Sequence, residues 1–379
     1  MPPNGIVVAA TAAGPADRFA LLSPGFIQLQ LAMAQAMGLP TTAAEFEHRY
    51  GSFGPYLATD ACQVLQSLHE QAAVFGDPAV LATELSTLAA GTKPTMLYGQ
   101  LVWLTQRTTN TANAFRFTLQ SLPDDLAHAS TPEKRLRILT RLLTGDKSLA
   151  VAARQLETEA RNLSTDLALY QRPLSLAKAD IGQSFSTHTT IYEQAADLNQ
   201  QLAAQLGMTQ DQLGNFRSAY IDVATSSVLA ITTMFAATTC MLIPVGVVAI
   251  GAYSMLSDME RMARLNVDRV ETALRTLAAE SWKKFQLVGA VKALELSLTP
   301  LETQLASVID CLDSMADTWR DVARQLEDIV AQTTVADLQQ VPAFVQRLHL
   351  AEAGLKWALT ARLTTEFTTN AFVRIDSRA

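Results

Sequence analysis

Between Asp222 and Asp258 the chain carries no charged residue over 35 positions, VATSSVLAITTMFAATTCMLIPVGVVAIGAYSMLS, and any fold must find a place for this run. About 20 apolar residues span a bilayer as a helix. Val223 to Ile243 supplies 21 residues and Val245 to Leu256 another 12, with the turn signal Pro244-Val245-Gly246 between them. The run reads as two arms joined at a tip. Its conformation is ambivalent. From Val223 to Ile250, 13 of 28 residues are Val, Ile or Thr, which favour strands, while Ala, Leu and Met keep a helix open in an apolar medium. At about 25 cal/mol per Å² of buried apolar surface, a segment this large does not stay wet in a stable monomer. It is buried against its own protein, against another subunit or in lipid. The candidate insertion residues are Val228, Leu229, Ile231, Met234, Phe235, Met241, Leu242, Ile243, Pro244, Val245, Gly246, Val247, Val248 and Ile250.

The flanks are long helical patterns. Leu156, Ala160, Leu163, Leu167, Tyr170, Leu174, Ala177 and Ile181 alternate steps of four and three. Phe185, His188, Tyr192, Ala195, Leu198 and Leu202 continue nearly the same register. This is the spacing of a helix packed on others along one seam. Asp146 is the expected cap, Pro173 should kink the helix, and Gly207 should interrupt it. From Asp146 to Asp222 is 77 residues, roughly 115 Å if all helical. On the other side, Val291, Leu294, Leu298, Leu301, Leu305, Val308, Leu312, Met315, Trp319, Val322, Leu326 and Ile329 alternate threes and fours without exception. Thr299-Pro300-Leu301-Glu302 has the form of a capping box, so this helix either kinks there or stops and restarts in register.

The remaining chain also reads as helices. Residues 1–20 look like a loose leader. Helices are predicted from Ser23-Pro24 to Met37, at 42–50, 56–75 and 79–90, and from Thr95 to Ser121, where Pro123 should end the helix ahead of a polar loop. Ser130-Thr131-Pro132-Glu133 starts a short basic helix with Arg135, Arg137 and Arg141, and Gly145 stops it. Val341-Pro342 ends the second seam, and a last helix covers Ala343 to Thr365. No clean period-two strand pattern occurs outside the uncharged run, and no repeat of 20–50 residues is present. The fold class is all-α: an elongated bundle of long helices, residues 1–222 and 258–379, forming a tail, with a small hydrophobic hairpin head, residues 223–257, between the two longest helices.

Composition narrows the function. Charged residues make up 17%, the net charge is −7, and no segment gathers Lys and Arg into a stripe fit for nucleic acid. Cys62, Cys240 and Cys311 are far apart and lack metal spacing, so they read as reduced structural thiols. His48, His69, His128, His188 and His349 form no metal motif, and His188 on the seam reads as packing. No phosphate loop, dinucleotide fingerprint or nucleophile elbow is present. No cofactor and no enzymatic activity are expected. The Arg135, Arg137, Arg141 cluster reads as a solvated face, with anionic headgroups or a partner as the functional alternative. Met1 to Gly14 has no basic n-region, so a secreted form is expected to leave by a route other than a signal peptide.

A long helix, an uncharged hairpin and a second long helix in a chain just under 400 residues resemble the cytolysin A (haemolysin E) superfamily of α-helical pore-forming toxins. That superfamily includes the Bacillus haemolytic and non-haemolytic enterotoxin components and the tripartite toxins of Gram-negative bacteria. The resemblance is one of architecture over about residues 95–379. It implies that Val223 to Ser257 forms a head folded on a helical tail, swings out on contact with a target-cell lipid membrane, and assembles as a homo-oligomer or with sister toxin subunits. The hairpin is long and uncharged, and Thr225, Ser226, Thr232, Thr233, Thr238 and Thr239 offer only weak polarity, so it fits a membrane-anchoring subunit beside a pore-lining one. Two alternatives stand beside this reading. One is a helical scaffold that uses the hairpin against a protein partner. The other is a helical protein anchored permanently in the bilayer, although Arg217, Asp211, Asp222, Asp258, Glu260, Arg261 and Arg264 write no positive-inside asymmetry.

Overall fold

The computed structural model describes residues 3, 6–8, 18–21, 29, 33, 36–50, 55–77, 80, 83, 84, 86, 91–184 and 301–370. Among the described residues, helices run as α1 (Ala43–Tyr50), α2 (Pro55–Gly76), α3 (Leu97–His128), α4 (Pro132–Thr144), α5 (Leu149–Ser184), α6 (Leu301–Gln332), α7 (Val341–Arg347) and α8 (Leu350–Asn370). A 3₁₀ turn covers Asp337–Gln339, and two-residue strands β1 (Val7–Val8) and β2 (Arg18–Phe19) pair antiparallel. The chain is helical in class, as its periodicity predicts.

The chain divides into two compact units. The first holds Met1–Ser23, Ala82–Ala168 and Ala306–Phe372. Its centre is an aromatic cluster of Phe115 on α3, Trp319 on α6 and Trp357 on α8, all fully buried, with ring centroids 4.4 to 6.1 Å apart. Along α3 the buried residues Thr108, Ala112, Phe115, Leu119, Leu122 and Leu126 repeat at steps of four and three. This is a third seam, and α8 packs along it. Threonine is used inside this interface because its hydroxyl can be satisfied locally. Thr364, fully buried, donates to the Thr360 carbonyl at 2.8 Å and receives the Thr109 hydroxyl at 2.8 Å.

Several boundaries differ from the sequence prediction, each for a local reason. The β1–β2 pair was not expected, because two residues are too short to show a period. It is held by Ile6 and Phe19, both buried, with Phe19 against Phe367 at 5.2 Å, so the expected loose leader is packed at these positions. Pro123 does not end α3, which continues to His128. A proline removes one N–H from the ladder. The burial of Leu122 and Leu126 on the seam outweighs that loss, and Arg135 Nε donates to the Leu126 carbonyl at 2.9 Å, satisfying an orphan acceptor of the last turn.

Helix α5 begins two residues later than an Asp146 cap would place it. Ser148 is the cap: its hydroxyl accepts from Val151 N at 3.3 Å and its carbonyl from Ala152 N at 3.1 Å. Pro173 lies within α5, whose helical span passes through it. The second seam ends at Gln332 rather than at Val341-Pro342, because Thr334 and Asp337 form a reciprocal clasp of hydroxyl and carboxylate there. The last helix is broken in two at His349, which takes a left-handed φ of 50°.

Other expectations hold. Thr131 caps α4 by accepting from Lys134 N, with Pro132 in its first turn. Gly145 ends α4 with a ψ of 177°, outside the helical range, where a Cβ would lie 2.7 Å from the Arg141 carbonyl oxygen. Leu29, Met33 and Ala36, spaced by four and three within the first predicted helix, are helical and buried.

The second unit holds Pro24–Leu81, Leu169–Leu305 and Val373–Ala379. In it, Tyr170 of α5 is buried and donates its hydroxyl to the Gln71 carbonyl of α2 at 2.7 Å, with the Phe75 ring stacked at 6.1 Å. Cys62 is buried there, and burial pushes its thiol up from the ordinary value.

Candidate membrane-insertion site

The candidate insertion residues, from Val228 to Ile250, and the whole of 223–257 lie outside the described residues. So do His188, Cys240, Gly207 and the seam positions from Phe185 to Leu298. What the structure does describe is the pair of helices that carries this segment. Every residue of the first seam from Leu156 to Ile181 is buried, none more than 5% exposed. In the second, Leu305, Val308, Leu312, Met315, Trp319, Val322 and Leu326 are buried, and Ile329 is half-buried. The heptad reading therefore identified the packed face of both helices from Leu156 to Ile181 and from Leu305 to Leu326.

Polar contacts flank these seams. In the first unit Arg154 grips Glu327 with a shortest contact of 2.9 Å, Arg161 meets Asp317 at 2.7 Å, and the Ser164 hydroxyl donates to Asp313 at 2.8 Å. As the α5 number rises the α6 number falls, so the two helices run antiparallel in this unit. The hydrogen bonds to Glu327 and Asp317 hold the Arg154 and Arg161 guanidinium groups above their ordinary range. In the second unit Lys178 Nζ lies 3.8 Å from Glu302. This contact brings together the points where the chain leaves α5 and returns at α6. Residues 185–300 thus depart from and rejoin neighbouring helices, the connectivity that a hairpin insert needs.

Among the described residues, no helix is long and apolar enough to cross a membrane, and no group of His, Cys, Asp or Glu is placed to hold a metal. His48 and His69 line a surface cleft of about 660 Å³ in the second unit with Glu45. Glu45 is held below the usual carboxylate range by the Thr41 backbone N–H, so its role is to cap α1. In the first unit, burial pushes the Glu159 carboxyl up against the pull of Arg107, 3.0 Å away. Arg135, read from sequence as a solvated cation, is half-buried and bonds the Leu126 and Leu338 carbonyls at 2.9 and 2.7 Å. Arg137 and Arg141 are exposed. The third seam on α3 was missed from sequence although Ala112, Phe115, Leu119, Leu122 and Leu126 repeat at heptad steps; the proline at 123 drew the boundary too early.

A comparison with protein families finds no match, and neither does a comparison with curated proteins by sequence. Among the solved structures that the chain is similar to are toxin components. One is the Bacillus cereus HblL1 toxin component, at 11% identity over 91% of this chain and 94% of that one, TM-score 0.47. Another is soluble SmhA of the tripartite α-pore-forming toxin Smh from Serratia marcescens, at 13% identity over 91% and 92%, TM-score 0.48. The third is the pre-pore AhlB of the tripartite α-pore-forming toxin AHL from Aeromonas hydrophila, at 14% identity over 91% and 97%, TM-score 0.43.

Proposed function

We propose that this chain is a subunit of an α-pore-forming toxin whose residues 223–257 insert into a target-cell membrane. The observation that carries the reading is the placement of 35 uncharged residues between two helices whose seams are buried from Leu156 to Ile181 and from Leu305 to Leu326. A frame with its apolar face already buried has little left to offer a further apolar segment of this size, so the segment gains most from lipid. The closeness of Lys178 and Glu302 supports an insert that leaves and returns at neighbouring points. Val228, Leu229, Ile231, Met234 and Phe235 form one arm, Val245, Val247, Val248 and Ile250 the other, and Met241 to Pro244 with Gly246 the tip. Residues 1–222 and 258–379 are the tail. The protein acts as a secreted soluble form that moves to the target membrane, alone or beside sister subunits, and the apolar hairpin suits an anchoring rather than a pore-lining role.

The test is dye release from liposomes and lysis of erythrocytes by the full chain, alone and with co-encoded subunits. A chain with Ile231→Asp and Val247→Asp should remain folded and lose membrane binding and lysis, since each buried charge at the bilayer centre costs roughly 2.5–3.5 kcal/mol. Binding and lysis equal to the wild type would exclude the hairpin as the insertion element.

A further inference from the structure

The basic helix α4 separates into two functions. Arg135 is committed to two carbonyls of its own chain. Lys134, Arg137 and Arg141 are exposed, and their steps of three and four place them on one face, away from the buried Leu139 and Leu143. Among the described residues none of the three enters an ion pair; Lys134 Nζ reaches only the Ser130 hydroxyl, at 2.9 Å. On α6, Asp310, Asp313 and Asp317 are also exposed and repeat the same two steps, three then four. Asp313 receives Ser164, and Asp317 receives Arg161 and Arg320, all through Oδ1, which leaves Oδ2 of each carboxylate. Two helices with matching i, i+3, i+7 charges, laid parallel, bring each cation against a carboxylate over about 10 Å of helix.

We propose that the Lys134, Arg137, Arg141 face of one copy docks on the Asp310, Asp313, Asp317 face of a second copy. The two faces are different surfaces of one unit, so the contact is heterologous and repeats from copy to copy, as a ring requires. The inference deepens the pore-forming reading, from which it takes only the assembly of copies. An anionic membrane is the poorer occupant. The apolar side of α4 is buried in its own unit, and a chain of net charge −7 is repelled by such a surface. Charge pairs of this kind set orientation and encounter rate more than final affinity.

The experiment follows self-association of the purified full chain by sedimentation and cross-linking, in buffer and on dye-loaded vesicles of phosphatidylcholine or of phosphatidylserine. Lys134→Glu with Arg137→Glu should weaken assembly about tenfold, and so should Asp310→Lys with Asp313→Lys. The chain carrying all four substitutions should assemble as the wild type does, because both faces are reversed together. Wild-type assembly should slow as salt rises from about 0.05 to about 0.5 M. Failure of the four-substitution chain to recover, or full assembly by either two-substitution chain, overturns the proposal. Loss of binding by Lys134→Glu with Arg137→Glu confined to phosphatidylserine vesicles, without recovery, also overturns it and assigns the face to lipid. If the vesicles leak while every charge variant behaves as wild type, this inference falls and the pore reading stands. If the wild type neither assembles nor releases dye, both fall.

Discussion

Arg135 tests whether the end of α3 is secured in the way its geometry indicates. Helix α3 carries Pro123 in its next-to-last turn and then continues to His128, so the ladder ahead of its final turn has lost the bond from position 123 to the Leu119 carbonyl. The Arg135 guanidinium donates to the Leu126 carbonyl at 2.9 Å and to the Leu338 carbonyl at 2.7 Å, tying α3 to the 3₁₀ turn. A hydrogen bond to a charged group contributes about 1.5–3 kcal/mol. Because Arg135 is half-buried, water can replace part of each bond, and about half of that range is the reasonable share. Arg135→Ala should therefore cost roughly 1.5–3 kcal/mol in total. For a unit of this size that is a fall in Tm of roughly 5–10 °C. Arg135→Lys keeps the charge but not the fork, reaches one carbonyl at a time, and should lose about half as much. Arg141→Ala, on the exposed face of the same helix, should stay within about 0.5 kcal/mol of wild type. Thermal unfolding followed by far-UV circular dichroism reads all three. An Arg135→Ala chain that melts with the Arg141→Ala chain would show that α3 needs no such tie and that burial of Leu122 and Leu126 suffices.

Other expectations concern the seams and the titrating groups. Leu167→Ala and Leu312→Ala, each at a fully buried seam position, should cost about 2–5 kcal/mol in urea unfolding, while Leu169→Ala, 70% exposed on the same helix as Leu167, should cost under about 0.5 kcal/mol. Tyr170→Phe should cost about 0.5–1.5 kcal/mol, since it removes the hydroxyl bond to the Gln71 carbonyl, and equal stability would show that this bond contributes nothing net. Burial raises the Glu159 carboxyl, so its folded form holds the proton better than its unfolded form. The stability this contributes is full below the unfolded pKa and is lost as pH rises through the folded one. Glu159→Gln should therefore melt above wild type at pH 7, with the gap closing toward pH 4. Asp337 has the opposite sign. Its Thr334 and Arg347 partners hold it well below the usual carboxylate range, so its contribution is present above about pH 4 and fades as pH falls further. Asp337→Asn should flatten the acid limb of the Tm profile, and an unchanged limb would show that the clasp has no role in acid stability.

The parts of this fold that could be read from sequence are those where one period governs many residues. The seams from Leu156 to Ile181 and from Leu305 to Leu326 are buried as read, because a stripe at alternating threes and fours can be hidden in only one way. The boundaries were read less well, because each turns on one or two local bonds whose partners lie far off in sequence. Pro123 looks like a stop until Arg135 and the Leu126 carbonyl are seen together, and His349 looks like a mid-helix residue until its left-handed φ is known. Arg135 shows the same limit for function. Its type and spacing matched Arg137 and Arg141, yet its side chain turns inward to a carbonyl 203 positions away, a contact that no local pattern encodes. The candidate insertion residues rest on a different kind of legibility. An uncharged run of 35 states that water is a poor solvent for it, and leaves the choice of helix or strand to the medium, since 13 Val, Ile and Thr in 28 residues do not decide between the two. The frame around it, by contrast, is fixed by period, burial and flanking ion pairs. If the insert is to move while α5 and α6 stay packed, the change must take place within residues 185–300, and substitutions in the described seams should alter stability without altering which lipid the protein recognises.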